Sequence, residues 1–358
     1  MLNLALQGGG SHGAFTWGVL DALLADGRIQ PEGLSGASAG AVNAVALASG
    51  WATAEAAGRD PREGARAALR QVWERVTALG SLGVLQQQLT RMLWGGLEFP
   101  AVSPYQSNPL GLNPLRDLLN QEIDFHAIAA HRELKVFVSA THVHTGKAVV
   151  FTGRQLDASA VMASACLPML FQAVEIDGQP YWDGGFSLNP PLSPLISQCR
   201  TADLMLVQIN PLNRGETPHS SPEIRDRVNE LMFNASLLTQ MRAIDFINRL
   251  IADGAVAHDQ CKTVRVHRVD AGQSLDAYPS SSRATADGAM IAKLFQAGSE
   301  AGQAWLQRHY AAIGHHATVD IRHDYLDDTR MEVPRSPRSP QGWRFRPWLG
   351  RLFRQSRP

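Results

Sequence analysis

Short apolar runs alternate with longer amphipathic segments along most of the chain. Runs bounded by glycine or polar residues, typical of buried strands, occupy residues 2–6, 133–141, 147–153, 203–210 and 262–269. Apolar residues recur at helical spacing over 12–24, 64–79, 157–168, 222–252 and 287–310. A further strand, a small-residue turn and an alanine-rich helix fit within 34–50. This alternation predicts an α/β fold, a three-layer α/β/α sandwich with a mostly parallel central sheet.

The hydrophobic pattern gives way to a different composition near the end of the chain. We predict one domain over residues 1–330, with a motif-bearing core at about 2–210 and a helical extension over 211–330. Residues 331–358 are rich in proline, arginine and tryptophan, and the last 24 residues hold seven arginines and no acid. We expect this tail, from Arg335 to Pro358, to be flexible or to lie on an anionic membrane surface.

Composition and charge exclude some broad classes of protein. Of the 358 residues, 44% are apolar and 18% are charged, with a formal net charge of zero. Residues 1–334 carry 26 basic and 33 acidic residues, and neither this balance nor the net charge of zero gives a general attraction to nucleic acid. Three cysteines without a ligand or redox spacing predict neither a metal site nor a disulfide framework. We expect a cytoplasmic protein, peripheral on the inner face of the membrane, and leave its oligomeric state open.

A glycine-rich stretch follows the first predicted strand. Gly8, Gly10 and Gly13 fit the pattern G-x-G-x-x-G at the start of a helix. This pattern is typical of dinucleotide-binding loops, in which backbone N–H groups bind a pyrophosphate. The same N–H groups could instead stabilise the oxyanion of an acyl-transfer intermediate. The stretch alone leaves both interpretations open.

A second motif favours the oxyanion interpretation. Residues 36–40, GASAG, fit G-x-S-x-G, which places Ser38 on a tight turn between a strand and a helix. Turns that follow parallel strands emerge at the same edge of a sheet, so Ser38 and the glycine loop should face one crevice. A dinucleotide site needs an acidic residue at the end of the second strand, and Glu32 is near that spacing. That strand instead runs into Gly36 and Ser38.

A third motif supplies a candidate base. The stretch YWDGGFSLNPP contains Asp183, Gly184 and Gly185, and two glycines after an aspartate favour a sharp turn that presents the carboxylate. The same dipeptide is also common in simple Asx turns, in which the aspartate has no further role.

The three motifs, in this order, resemble the patatin-like family of lipid acyl hydrolases over roughly residues 2–210. The resemblance implies a Ser–Asp dyad in which Ser38 attacks the ester and Asp183 accepts its proton, without metal or cofactor. It implies an oxyanion hole formed by the N–H groups of Gly8, Gly9 and Gly10. The remaining motif glycines support the turns: Gly13, Gly36, Gly40, Gly184 and Gly185. The expected partner is a lipid or another ester.

Several alternatives stay open at the level of sequence. An aspartate with an ordinary pKa of about 3.9 is a weak base at neutral pH. A conventional triad would use one of the histidines after Asp183: His258, His267, His309, His315, His316 or His323. Several family members carry an arginine inside the glycine loop, where this chain has Ser11 and His12. A phospholipid, a neutral lipid, a short-chain ester and a polyester therefore all stay candidate substrates. A non-catalytic protein that binds an acyl chain, a phosphate or a dinucleotide is the alternative function.

Overall fold

The computed structural model describes residues 1–93, 103–108, 111, 113–257, 261–275, 278, 282–283 and 286–326. The predicted basic tail and much of the segment 94–113 lie outside these residues. None of the helices within the described ranges is long and apolar enough to cross a membrane.

The centre of the fold is an eight-stranded mixed sheet, counted over the described residues. Its strands are β1 (Leu2–Leu6), β2 (Pro31–Gly36), β3 (Lys135–His142), β4 (Ala148–Thr152), β5 (Val174–Ile176), β6 (Gln179–Asp183), β7 (Asp203–Gln208) and β8 (Arg265–Asp270). Five neighbouring strands run parallel in the order β3, β2, β1, β7, β8. The three others pair antiparallel at the β3 side: short turns join β3 to β4 and β5 to β6 as hairpins, and β6 also pairs with β3. The prediction of an α/β fold with a mostly parallel sheet is confirmed.

Helices cover both faces of this sheet. They are α1 (Gly13–Asp26), α2 (Ala39–Ala56), α3 (Pro61–Leu93), α4 (Pro104–Ser107), α5 (Pro114–Glu122), α6 (Phe125–Ala130), α7 (Ala158–Ser164), α8 (Ser193–Gln198), α9 (Ser221–Ala252) and α10 (Gly288–His309). Side chains alternate between two apolar cores: Leu4 and Leu6 of β1 pack into one, and Ala5 packs into the other. Residues from α1, α2, α3, α7 and α10 line the first core, while those from α8 and α9 line the second. These are the three layers that the sequence predicts.

Several helices and strands begin or end at other residues than the sequence predicts. The helix predicted for 64–79 is the longer α3. The helix predicted for 157–168 ends at Ser164, four residues before Pro168, and the chain then turns toward β5. The strand predicted for 203–210 ends at Gln208. The N–H groups of the next two residues, Ile209 and Asn210, donate to the side chain of Gln7 and not to a neighbouring strand.

Candidate active site

Ser38 occupies the turn between β2 and α2 in a strained backbone conformation. Its φ is 54° and its ψ is −126°, in a region that residues with a side chain rarely adopt. The Ser38 N–H donates to the hydroxyl of Ser164 (2.9 Å), and its carbonyl accepts from the N–H groups of Ala41 and Val42. The side chain therefore stands at the N-terminus of α2, where the helix dipole favours negative charge.

The turn exists because glycines flank it. A Cβ atom added at Gly40 would overlap the carbonyl of Leu6, and one added at Gly36 would overlap the backbone of Gly40. A Cβ at Gly13 would lie 2.7 Å from the Cβ of Ala39. The absence of side chains at these motif positions lets the starts of α1 and α2 approach each other closely.

The glycine loop passes directly beside Ser38. A Cβ at Gly8 would lie 2.8 Å from the Cβ of Ser38, and Gly10 has a φ of +58° that only glycine adopts readily. The Gly8 N–H donates to Oδ1 of Asn189 (2.6 Å). Within the described part of the chain, the N–H groups of Gly9 and Gly10 donate to no carbonyl or side chain. The loop thus presents two open donors near the serine.

Asp183 ends β6 and is fully buried. Its Oδ1 accepts from the N–H of Gly185 (2.7 Å), and its own N–H donates to the carbonyl of Cys166 (2.8 Å). The second carboxylate oxygen, Oδ2, is buried and has no hydrogen-bond partner among the described residues. The hydroxyl of Ser38 is close enough to lower the pKa of Asp183, although the two groups do not form a hydrogen bond of standard geometry. A loose contact of this kind is common in an active site without substrate.

Burial sets the protonation of Asp183. Loss of solvation raises the pKa of its carboxyl group from an ordinary 3.8 to about 7, and the hydrogen bond from the Gly185 N–H and the nearby Ser38 hydroxyl only partly oppose the rise. A base with a pKa near the operating pH accepts protons far better than an exposed aspartate does. Asp183 is therefore a stronger base at neutral pH than an aspartate with an ordinary pKa, which is what the sequence alone predicts.

The two glycines after Asp183 let the chain pass closely between β3 and α9. A Cβ at Gly184 would overlap the carbonyl of Ser139 in β3. A Cβ at Gly185 would lie 2.8 Å from Cδ1 of Phe233 in α9. All three motifs therefore meet at one edge of the sheet, with Ser38 between the glycine loop and the aspartate.

A network of buried amide side chains, which the sequence motifs do not include, holds these loops together. Gln7 accepts from the N–H groups of Ile209 and Asn210 and donates to Asn234 (2.9 Å). Asn210 donates to the carbonyl of Gly8 (2.8 Å), and Asn189 donates to the carbonyl of Phe233 (3.2 Å). In the sequence, two members of this network stand just after apolar strands: Gln7 in LALQG and Asn210 in LVQIN.

Asn189 offers a test of this network. Asn189→Ala removes the acceptor for the Gly8 N–H in a fully buried place, so we expect the free energy of unfolding to fall by about 1–3 kcal/mol. Urea unfolding monitored by circular dichroism measures the change. Asn248→Ala, which removes a similar amide that bonds the backbone of Val264 in a part-buried place, is the comparison and should cost less. Equal costs would contradict a special role for Asn189.

The residues that a dinucleotide site or a conventional triad would use do not hydrogen-bond Ser38 or Asp183 in the described structure. Glu32 stands near the opposite end of β2, where its carboxylate accepts from the N–H groups of Arg200 and Thr201. His12 is buried, bonds Ser282 (2.8 Å) and has a pKa lowered to about 3 by burial and by Arg283. His267 bonds Asp203 (3.1 Å). In the described residues, which omit His258, no histidine hydrogen-bonds Ser38 or Asp183, and no cluster of three or more metal-binding side chains occurs.

The fold defines an α/β protein with a strand–serine–helix turn at the edge of its sheet. Residues 4–196, more than half of the chain, match the family model described as Patatin-like phospholipase, so the chain belongs to the patatin-like phospholipase family. Membership of this family implies lipid acyl hydrolase activity on lipid esters. A search of curated proteins gives no match. Among solved structures, VipD from Legionella pneumophila is similar at 14% identity and a TM-score of 0.37, over 83% of this chain and 67% of that chain.

Proposed function

We propose that this protein hydrolyses carboxylic esters of lipids through a covalent acyl-enzyme, with Ser38 as nucleophile and Asp183 as general base. One observation carries the proposal: the buried carboxyl group of Asp183, whose Oδ2 has no hydrogen-bond partner among the described residues, lies close enough to the hydroxyl of a strained serine for that hydroxyl to lower its pKa. An unsatisfied buried acceptor and a strained turn both cost stability, and such costs concentrate at functional sites.

The first half of the reaction forms the acyl-enzyme. Ser38 Oγ attacks the carbonyl carbon of the ester, and its proton passes to Oδ2 of Asp183. The tetrahedral intermediate collapses as the carbon–oxygen bond to the alcohol breaks. Asp183 returns its proton to the departing alkoxide, which leaves as the alcohol. The acyl group is then bound to Ser38 as an ester.

The second half of the reaction frees the enzyme. Water attacks the acyl-enzyme, and Asp183 accepts one of its protons. The bond between the acyl carbon and Ser38 Oγ breaks, and the proton on Asp183 returns to the serine oxygen. A carboxylic acid is released, and both residues recover their starting protonation.

We assign the oxyanion hole to the N–H groups of Gly9 and Gly10. Both are free of partners within the described residues, whereas the Gly8 N–H donates to Asn189. This differs from the set of three donors that the resemblance implies. Gly8 instead brings the loop against Ser38, and its link to Asn189 fixes the direction of the next two N–H groups. Removal of one oxyanion donor typically lowers kcat by about 10²–10³.

The direct test is turnover of defined esters by the purified full-length chain. A monoacylglycerol, a lysophospholipid and a diacyl phospholipid with the same acyl chain would be incubated with protein, and fatty acid release measured. Mass spectrometry of acid-quenched protein would detect the acyl-enzyme. We expect fatty acid release from at least one lipid and a protein mass raised by one acyl group. Lipid binding without any turnover would contradict the proposal and favour the non-catalytic alternative.

A further inference from the structure

The end of α7 contacts the backbone of both Ser38 and Asp183. The hydroxyl of Ser164, the last residue of this helix, accepts from the Ser38 N–H at 2.9 Å. Two residues further along the chain, the carbonyl of Cys166 accepts from the Asp183 N–H at 2.8 Å. One short segment, residues 164–166, therefore holds the backbone of the nucleophile and the backbone of the base.

Buried contacts fix this segment in the fold. Ser164 is completely buried, and residues 160–163 before it pack in the first apolar core. The thiol of Cys166 donates to the carbonyl of Gln172 at 3.0 Å. Burial raises the pKa of this thiol to about 11, so the donor proton is retained at neutral pH. The Ser164 hydroxyl and the Cys166 carbonyl are therefore rigid supports for the two residues that they bind.

The hydrogen bond to Ser164 fixes the peptide plane that leads into the nucleophile. The N–H of that plane belongs to Ser38 and donates to Ser164, while its carbonyl belongs to Ala37 and accepts from the N–H of Gly40 at 2.8 Å. A strained conformation, such as the φ of 54° at Ser38, persists only where its surroundings hold it. Loss of the Ser164 hydroxyl would leave this plane held on the carbonyl side alone.

The same peptide plane also supports the glycine loop. A Cβ at Gly8 would lie only 2.6 Å from the carbonyl oxygen of Ala37, so the loop packs directly on this carbonyl. Rotation of the plane would therefore displace the open N–H donors of the loop together with the Ser38 side chain. The Ser164 hydroxyl thus acts on the nucleophile and on the oxyanion donors through one peptide group.

We propose that Ser164 is a positioning residue for the acyl transfer, whose hydroxyl holds the Ser38 backbone so that Oγ faces both Asp183 and the open donors of the glycine loop. This inference rests on the proposed function, because it needs Ser38 to be the nucleophile. Ser164 acts through Ser38, and the reaction steps are those given above. Misplacement of a reacting group by about 1 Å can slow a reaction by about 10²-fold, so the loss of this one hydrogen bond should be visible in the rate.

The time course of labelling by a fluorophosphonate tests this role. Its rate constant reports how well the serine is placed, whereas its final amount reports the fraction of folded protein. For Ser164→Ala we expect a rate constant about 10- to 100-fold below that of wild type, with an unchanged final amount. In ester hydrolysis, kcat should fall while KM changes by less than about twofold, because the hydroxyl holds the reacting geometry and does not bind the substrate.

Ser49→Ala is the matched control. Ser49 is also buried on a helix, and its hydroxyl also accepts from a backbone N–H at 2.9 Å, that of Asp124. It lies on the order of 15 Å beyond Ser38 along α2, so its removal should leave the rate constant within about twofold of wild type. Ser164→Cys keeps the shape of the side chain but offers only a weak acceptor, and it should also label slowly. This second variant carries the test if Ser164→Ala does not fold.

The other outcomes distinguish this inference from the proposed function. A wild-type rate constant in folded Ser164→Ala or Ser164→Cys would overturn the positioning role and leave the proposed function intact. A smaller final amount reached with the wild-type rate constant would do the same, because it shows a loss of stability alone. An equal fall of the rate constant in Ser49→Ala would also overturn the role. If the wild-type chain is not labelled at Ser38, the proposed function and this inference fail together.

Discussion

Ser38→Ala should lower ester hydrolysis by about 10⁴-fold or more, since no other group can form the covalent intermediate. Among the serines in the described residues, Ser38 alone has a positive φ, and its hydroxyl acts on the buried carboxyl group of Asp183. Alanine keeps the Cβ and the backbone conformation, so the fold should be preserved. Steady-state release of fatty acid, normalised to folded protein by circular dichroism, measures the effect.

The control for this substitution lies three residues earlier. Ser35→Ala removes a hydroxyl from β2 that is also buried and has no hydrogen-bond partner in the described structure, and activity should stay within about twofold of wild type. Ser38→Gly should be as inactive as Ser38→Ala but more stable by on the order of 1 kcal/mol, because glycine adopts a positive φ without strain. Substantial activity in either variant at position 38 would contradict the nucleophile assignment.

Asp183→Asn should lower kcat by about 10³-fold or more, because an amide cannot accept the serine proton. In the wild-type chain, the same pKa of about 7 makes kcat/KM rise with pH, about tenfold per unit below pH 7, to a plateau above it. The ionised carboxylate is the active form, so activity is lost on the acid side. A pH–rate profile between pH 5 and 8.5 measures the midpoint.

Asp183→Asn should also change how stability depends on pH. The folded-state pKa of Asp183, about 7, lies above its unfolded value, so between about pH 4 and pH 7 the folded chain binds more protons than the unfolded chain. This residue therefore destabilises the wild-type protein progressively as pH rises through that window. We expect the free energy of unfolding of Asp183→Asn, measured relative to that of wild type, to be higher at pH 8 than at pH 5 by on the order of 2–3 kcal/mol. Denaturant unfolding at the two pH values tests the sign.

The matched control uses the same substitution in the same hairpin. Asp177 is exposed in the turn between β5 and β6 and has a φ of 51°, which asparagine tolerates. Asp177→Asn should change neither the pH–rate profile nor the relative stability at the two pH values. A wild-type kcat/KM that is flat between pH 5 and 8 would contradict the assignment of Asp183 as a base of raised pKa.

The sequence predicts the layout of the site because its key features are local or follow from topology. Glycines around Ser38 and after Asp183 report tight turns, and the order of strands and helices indicates a parallel sheet. The rule that parallel strands end at one edge then brings the glycine loop to Ser38. The family assignment follows from the same three motifs, and the match over residues 4–196 confirms it.

Other properties of the site depend on contacts between distant parts of the chain. The pKa of Asp183 follows from its burial between β3 and α9, which the stretch YWDGG does not show. The Gly8 N–H is taken by Asn189, 181 residues away, so counting motif glycines overstates the number of open donors. The Ser164 hydroxyl that holds the Ser38 N–H is 126 residues from the turn. Arg283 reaches the glycine loop from a segment outside every motif.

The most direct measurement for the central claim is covalent labelling with a fluorophosphonate probe, mapped by peptide mass spectrometry, between pH 5 and pH 8.5. We predict one adduct, on the peptide that contains Ser38. Its rate of formation should rise about tenfold per pH unit up to a midpoint near pH 7 and should be strongly reduced in Asp183→Asn. No adduct, an adduct on another serine, or a rate independent of pH would contradict the proposal that Ser38 and Asp183 act together.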